Sequence, residues 1–157
     1  MRLPSARPRA ADTLVVDTGF DLGTFARDPL TDALPRAAFE EAMERQLERA
    51  RLGGTALSLL VVDLDHFKSI NDAFGHGRGD AVLREFAERV QGIIRGSDLL
   101  FRYGGDEFLL LLPETSREQA AVLAQRLLTR VGATPLPGNP AVSVALSIGE
   151  GGLPGGG

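Results

Sequence analysis

The sequence predicts an α+β fold with a ferredoxin-like plan: a mainly antiparallel central sheet flanked by helices. Three observations predict it. Apolar patterning reads as the element order α-β-α-α-β-β-α-β along the 157 residues. The apolar runs at 98–103 and 107–113 are separated by little more than Gly104-Gly105, which reads as a tight hairpin. An earlier run, Leu59-Leu60-Val61-Val62, ends in Asp63-Leu64-Asp65 and reads as a buried strand reaching a polar edge. Two βαβ-like halves then meet at a central hairpin, and helices packed on a mainly antiparallel sheet satisfy that order.

Each element follows from local chemistry. Residues 1–27 form a leader or linker, with Pro4, Pro8 and three arginines at its start. Residues 31–52 predict a helix capped by Thr31 or Asp32, with Pro35 in its first turn. Phe39, Met43, Leu47 and Ala50 recur at helical spacing and define its buried stripe, and Gly53-Gly54 stops it. A strand follows at about 56–64. Phe67, Ile70 and Phe74 mark a short helix at 67–77, closed by Gly75 and Gly77. A long helix from about Asp80 to Ile94 carries Val82, Leu83, Phe86, Val90, Ile93 and Ile94 on one face. Thr115 with Glu118 matches a capping box before a helix at 116–131. Val142 to Ile148 predicts a last strand, and the glycine-rich 150–157 a flexible tail.

Composition narrows the function. A formal charge of −4 argues against a nucleic acid polymer as partner, which needs a basic face. It leaves room for a small anionic nucleotide held through a divalent cation. With no cysteine, disulfides, thiolate metal sites and cysteine catalysis are excluded. No apolar stretch approaches the ~20 residues that span a bilayer, and the N-terminus does not resemble a secretory signal, so a cytoplasmic setting is expected.

The hairpin is the most informative feature. Glycine reaches φ > 0 without steric cost, and a tip nearly bare of side chains lets a ligand approach the backbone. Asp106 and Glu107 follow at its edge. Side chains alternate along a strand, so Asp63 and Asp65 share a face if the strand persists that far. Carboxylates at both places suit a hard divalent cation, and Lys68 suits a phosphate.

These residues resemble the GGDEF family of diguanylate cyclases. The family motif stands as Gly104-Gly105-Asp106-Glu107-Phe108. The upstream Asp-x-Asp-x-Phe-Lys-x-x-Asn-Asp pattern stands as Asp63 to Asp72, and Gly-His-x-x-Gly-Asp as Gly75 to Asp80. Asp28-Pro29-Leu30-Thr31 is similar to the opening of the family domain, and the resemblance covers 28–149.

The resemblance implies a nucleotide cyclase-like GGDEF domain that condenses two GTP into cyclic di-GMP and two pyrophosphates at a homodimer interface. It implies Mg²⁺ (or Mn²⁺) held by Asp63, Asp106 and the Leu64 carbonyl. Glu107 would bind a second metal or help deprotonate the attacking hydroxyl. Lys68, and Phe67 through its backbone, would contact phosphates. Asn71 and Asp80 would read the guanine edge, and Gly104 and Gly105 would let the nucleotide lie against the hairpin. Asp65 is split between the site and local capping. Asp80 is also a candidate cap for the helix it precedes. His76 reads as a structural hydrogen-bonding residue, and Phe39, Phe74 and Phe86 as core.

The resemblance further implies an inhibitory product site at Arg95 and Asp98, the Arg-x-x-Asp that stands five residues before the glycines. The chain departs from the family at Asp32, Ala33 and Pro35, where glycine, leucine and asparagine are usual. It is expected to be C-terminally shortened, without the basic segment that follows the last strand. A catalytically weak or inactive domain sensing cyclic di-GMP or GTP is therefore the alternative, with an upstream sensor domain as a possible partner of either.

Overall fold

In the computed structural model, residues 22–65, 67–132 and 145–153 are described. Strand β1 is the short Leu34–Pro35, and β2 is Leu57–Asp65. Strands β3 (Leu99–Arg102) and β4 (Glu107–Pro113) form the hairpin, and β5 is Ala145–Leu153. The helices are α1 (Phe39–Gly53), α2 (Phe67–Phe74), α3 (His76–Gln91) and α4 (Arg117–Leu127). The five strands lie in the order β1-β3-β4-β2-β5. All neighbours are antiparallel except β1 beside β3. From β2 to β5 the chain runs βααββαβ, with β3-β4-β2-β5 side by side. This is the ferredoxin-like α+β plan that the element order predicts.

Burial explains the two central strands. Phe108, Leu110 and Leu112 of β4 join Leu60, Val62 and Leu64 of β2 under Val82, Leu83, Phe86 and Val90 of α3. The alternate residues Leu109, Leu111 and Leu57, with Leu59 and Val61 packed at the edge, face α1 on the other side. A strand covered on both faces needs no polar alternation, so Leu109–Leu112 reads as one apolar run. Phe86 and Phe108 meet at 4.8 Å between centroids across the first of these layers.

The structure corrects several boundaries. Residues 31–35 are not helical, because local hydrogen bonds take the capping groups. The Thr31 N–H and hydroxyl both donate to Asp28 Oδ2, at 2.9 and 2.7 Å. The Asp32 N–H donates to the Asp28 carbonyl at 2.8 Å. Asp32 stands at φ 60, a left-handed conformation that aspartate tolerates better than most residues. Glycine, which the resemblance leads one to expect at this position, reaches that conformation without steric cost. Leu34 and Pro35 then pair with Phe101 and Arg102, and an edge strand suits a residue with no N–H. A 3₁₀ turn, Arg36–Ala38, leads into α1.

The buried stripe of α1 centres on Ala42, Gln46 and Ala50, with Phe39, Met43 and Leu47 flanking it. Gly54 ends this helix at φ 65. Helix α3 starts at His76 rather than Asp80. Gly75 at φ 89 separates it from α2, so Asp80 lies inside the first turns and is not the cap. It ends at Gln91, short of Ile93 and Ile94, although Ile94 remains in the core.

Strand β5 continues through Gly149 to Leu153, into the segment that composition marks as a loose tail. Gly149–Leu153 pair with Val61–Leu57. The first three positions of the predicted last strand, and most of the leader, lie outside the described residues. Among the described residues no helix is long and apolar enough to cross a membrane.

The cap of α4 is one residue later than expected. The Ser116 hydroxyl accepts from the Gln119 N–H at 3.1 Å, and Gln119 Oε1 accepts from the Ser116 N–H at 2.8 Å. Thr115 turns inward and is buried. Ser116→Ala should therefore destabilise the fold by about 1 kcal/mol, while Glu118→Ala should stay within ~0.5 kcal/mol, as urea denaturation would show.

Candidate active site

Asp63 and Glu107 are direct partners across the β2–β4 ladder, so their side chains leave the same face. Asp65 shares it, two residues further along the strand. The Leu64 N–H donates to the Asp106 carbonyl at 3.1 Å, which ties the hairpin loop to the end of β2. Among the described residues no Asp106 N–H returns that bond, so the Leu64 carbonyl is left to another partner.

Burial raises the Asp63 carboxyl above its ordinary range, and the charges of Asp106 and Asp65 raise it further. These carboxylates repel one another in the protein as it stands. A cation would relieve that repulsion. Two carboxylates and a backbone carbonyl form an all-oxygen donor set, which suits Mg²⁺ completed by water or phosphate. Among the described residues no three Asp, Glu or His side chains converge into a cage of their own.

The hairpin departs from the expected tight turn. Residues 103–106 form a four-residue loop closed by the Tyr103 and Gly104 N–H groups, both donating to the Glu107 carbonyl at 2.8 and 3.0 Å. Neither Gly104 nor Gly105 has a positive φ; among described glycines only Gly54 and Gly75 do. A Cβ on Gly105 would meet nothing within 4 Å, and one on Gly104 would make only ordinary contact with Glu107. The local fold demands neither glycine.

Residues that motif reading passed over hold the loop. Arg102 Nη1 donates to both Asp28 carboxylate oxygens at 3.2 Å, and its Nη2 to the Gly105 carbonyl at 3.1 Å. The hairpin is thus clamped to the opening turn. Tyr103 packs edge-on against Phe39 at 5.8 Å, with the Arg36 guanidinium 4.3 Å from its ring centre. Nothing local in the sequence marks Asp28 as the partner of Arg102, 74 residues away.

Lys68 is exposed in the first turn of α2, whose first residue, Phe67, packs against the core. Asn71 lies further along that helix. Its Oδ1 is buried and has no hydrogen-bond partner. A Cβ on Gly79 would come within 1.7 Å of that atom, so this glycine gives Asn71 its space. Asp80 follows Gly79 and is exposed.

Arg95 and Asp98 stand apart from this group and are bound to each other. Arg95 Nη2 lies 2.8 Å from Asp98 Oδ1, and the Arg95 N–H donates to Asp98 Oδ2 at 2.8 Å. The same Nη2 reaches the Pro113 carbonyl and the Thr115 hydroxyl. The hydrogen bond to Asp98 raises the Arg95 pKa; burial opposes it, and the charge of Asp98 reinforces it.

A family model described as "Diguanylate cyclase, GGDEF domain" matches residues 25–155. The chain belongs to the GGDEF diguanylate cyclase family. It is 38% identical over 146 residues to the response regulator PleD of Caulobacter vibrioides, covering 91% of this chain and 32% of PleD. It is 40% identical over 121 residues to the diguanylate cyclase DosC of Escherichia coli, covering 77% of this chain and 26% of DosC. The chain therefore spans about a third or less of these relatives. The crystal structure of the GGDEF domain of DgcB from Caulobacter crescentus, in complex with c-di-GMP, superposes with a TM-score of 0.76. That match has 30% identity and covers 81% of this chain and 77% of that one.

Two predictions follow from the clamp and the glycine seat. Burial raises the Asp28 pKa, but hydrogen bonds from Thr31 and the Arg102 charge outweigh it and leave the carboxyl below 3.8. Its stabilising contribution is complete above that pH and fades as pH falls through the lower folded value. Asp28→Asn should lower the melting temperature at pH 7, and the gap from the parent should close below about pH 3.8. Gly79→Ala should displace the Asn71 side chain and lower the melting temperature, read by thermal denaturation beside an unchanged far-UV circular dichroism spectrum of the folded protein.

Proposed function

We propose that this chain is a diguanylate cyclase domain, in which two copies in a homodimer each present one GTP. The 3′-hydroxyl of each GTP attacks the α-phosphorus of the other. The bond from that phosphorus to the bridging oxygen breaks, and two pyrophosphates leave as cyclic di-GMP forms. The observation that carries this reading is the pairing of Asp63 with Glu107 across the ladder, with the Asp106 charge near enough to raise the Asp63 carboxyl, beside a glycine loop that the fold itself does not require.

Asp63, Asp106 and the Leu64 carbonyl would hold Mg²⁺ (or Mn²⁺), with Glu107 available to a second ion. A bound divalent ion would neutralise triphosphate charge and stabilise the pyrophosphate leaving group. Glu107 would accept the proton of the attacking 3′-hydroxyl. Lys68 and the Phe67 backbone N–H would bind phosphate oxygens. The Asn71 side-chain oxygen, which lacks a donor, suits the donor edge of guanine, and the Asp80 carboxylate suits it equally. Gly104 and Gly105 would let the nucleotide lie on the backbone.

A second reading is a weak or inactive domain that senses cyclic di-GMP or GTP. The cavity of about 190 Å³ beside Arg95 and Asp98 supports a ligand site there, with Arg126 also in its lining. Product binding would have to draw Arg95 from Asp98.

Incubation with GTP and Mg²⁺, followed by chromatography, should yield cyclic di-GMP and pyrophosphate. Asp106→Ala should lower the rate at least a hundredfold, while Arg95→Ala should relieve product inhibition. An inactive chain that binds cyclic di-GMP only while Arg95 is present would select the second reading. Turnover undiminished in Asp106→Ala would refute the first.

A further inference from the structure

We propose that the Thr115 hydroxyl is a built-in competitor for Arg95, which holds the guanidinium in the free protein and so sets how tightly product binds there. The proposal rests on the reading of Arg95 and Asp98 as a site for cyclic di-GMP, and it adds a residue that governs that site.

Arg95, Asp98 and Thr115 all line the cavity of about 190 Å³. The Arg95 Nη2 group is their meeting point. It lies 2.8 Å from Asp98 Oδ1, 2.8 Å from the Pro113 carbonyl and 2.7 Å from Thr115 Oγ1. Nη2 carries two hydrogens, so the three acceptors share them. The hydrogen of Thr115 is already committed, because its hydroxyl donates to the Pro113 carbonyl at 2.9 Å. Thr115 therefore faces Arg95 as an acceptor. Its backbone is fixed from β2 and the residue before it: its N–H donates to the Ala56 carbonyl at 3.2 Å, and its carbonyl accepts from the Ser58 hydroxyl at 2.7 Å. The residue is only 6% exposed. Glu114, in the same turn, adds the attraction of its charge for Arg95.

A ligand phosphate asks for the same hydrogens. One nitrogen serves all three acceptors, so drawing Nη2 from Asp98 also breaks its bonds to Pro113 and Thr115. The Pro113 carbonyl keeps the Thr115 hydroxyl as a donor, and its bond to Arg95 lies at the surface, where water can replace it. The Arg95–Thr115 bond has no such counterpart. It belongs to the free state alone, and a contact made only in the free state lowers affinity by its own strength. The donor is charged, which places this bond among the stronger ones.

The test is a calorimetric titration of the full chain with cyclic di-GMP. Thr115→Val keeps the side chain's shape and removes its oxygen; it should bind at least threefold more tightly than the parent. Thr115→Ala, which cannot overfill the position, should tighten binding as well. Thr115→Ser restores the acceptor and should return the affinity to within about twofold of the parent. Simple damage to the turn would weaken binding, so the sign of the change separates the two roles. Arg95→Ala should abolish binding in every background. If Arg95→Ala abolishes binding but either folded variant lacking the hydroxyl binds no more tightly than the parent, the proposal fails and the site reading stands. Undiminished binding by Arg95→Ala would refute the site reading and the proposal with it.

Discussion

Asp63, Asp65 and Asp106 carry like charges at the end of the most deeply buried strands, and burial of Asp63 adds to the cost of keeping it ionised. Such a cluster would drift apart on a flexible support. Here β2 and β4 are packed on both faces, which fixes where the side chains emerge. The hydrogen bond from Leu64 to Asp106 closes the loop onto β2. Arg102 holds the loop from its other side through Asp28. Apolar burial thus provides the rigidity, and a few polar bonds at the strand ends set the spacing. The electrostatic strain that remains is what a divalent cation would remove.

The glycines separate structural from functional demand. Gly54 and Gly75 take positive φ, where other residues would be strained, and Gly79 has no room for a Cβ beside Asn71. Those three are explained by the fold. Gly104 and Gly105 are not, since their backbone is ordinary and the space around them is open or nearly so. A glycine pair that packing does not require, next to repelling carboxylates, is what the proposed nucleotide lying on the loop would explain.

Legibility in the sequence tracked how local the cause was. The central strands and the hairpin were readable because burial on both faces leaves an unbroken apolar run. The motif residues were readable because their spacing is tied to strand ends. The start of α1 was misread because Thr31 is taken by Asp28 and Asp32 turns left-handed, a competition that helix propensity does not register. The cap of α4 shifted by a residue because Thr115 bonds inward, with Arg95 reaching its hydroxyl. The end of β5 was missed because glycine composition suggests looseness, whereas a ladder along β2 supplies the order from outside the segment. The Arg102–Asp28 contact joins residues 74 apart and had no local signature.

The strands that hold the carboxylates also connect them to the rest of the domain. Arg95 is bound to Asp98, and through the Pro113 carbonyl to the last residue of β4, whose first residue is Glu107. Seven residues at ~3.3 Å each put these ends roughly 20 Å apart along one buried strand. A ligand that withdrew Arg95 from Asp98 would release an anchor at one end of the strand that carries Glu107 at the other. The core around Leu109–Leu112 is too well packed to absorb such a change by gradual deformation. It would either resist the change or pass it on as a shift of the whole strand, so any coupling to the carboxylates runs through the hairpin and its clamp on Asp28.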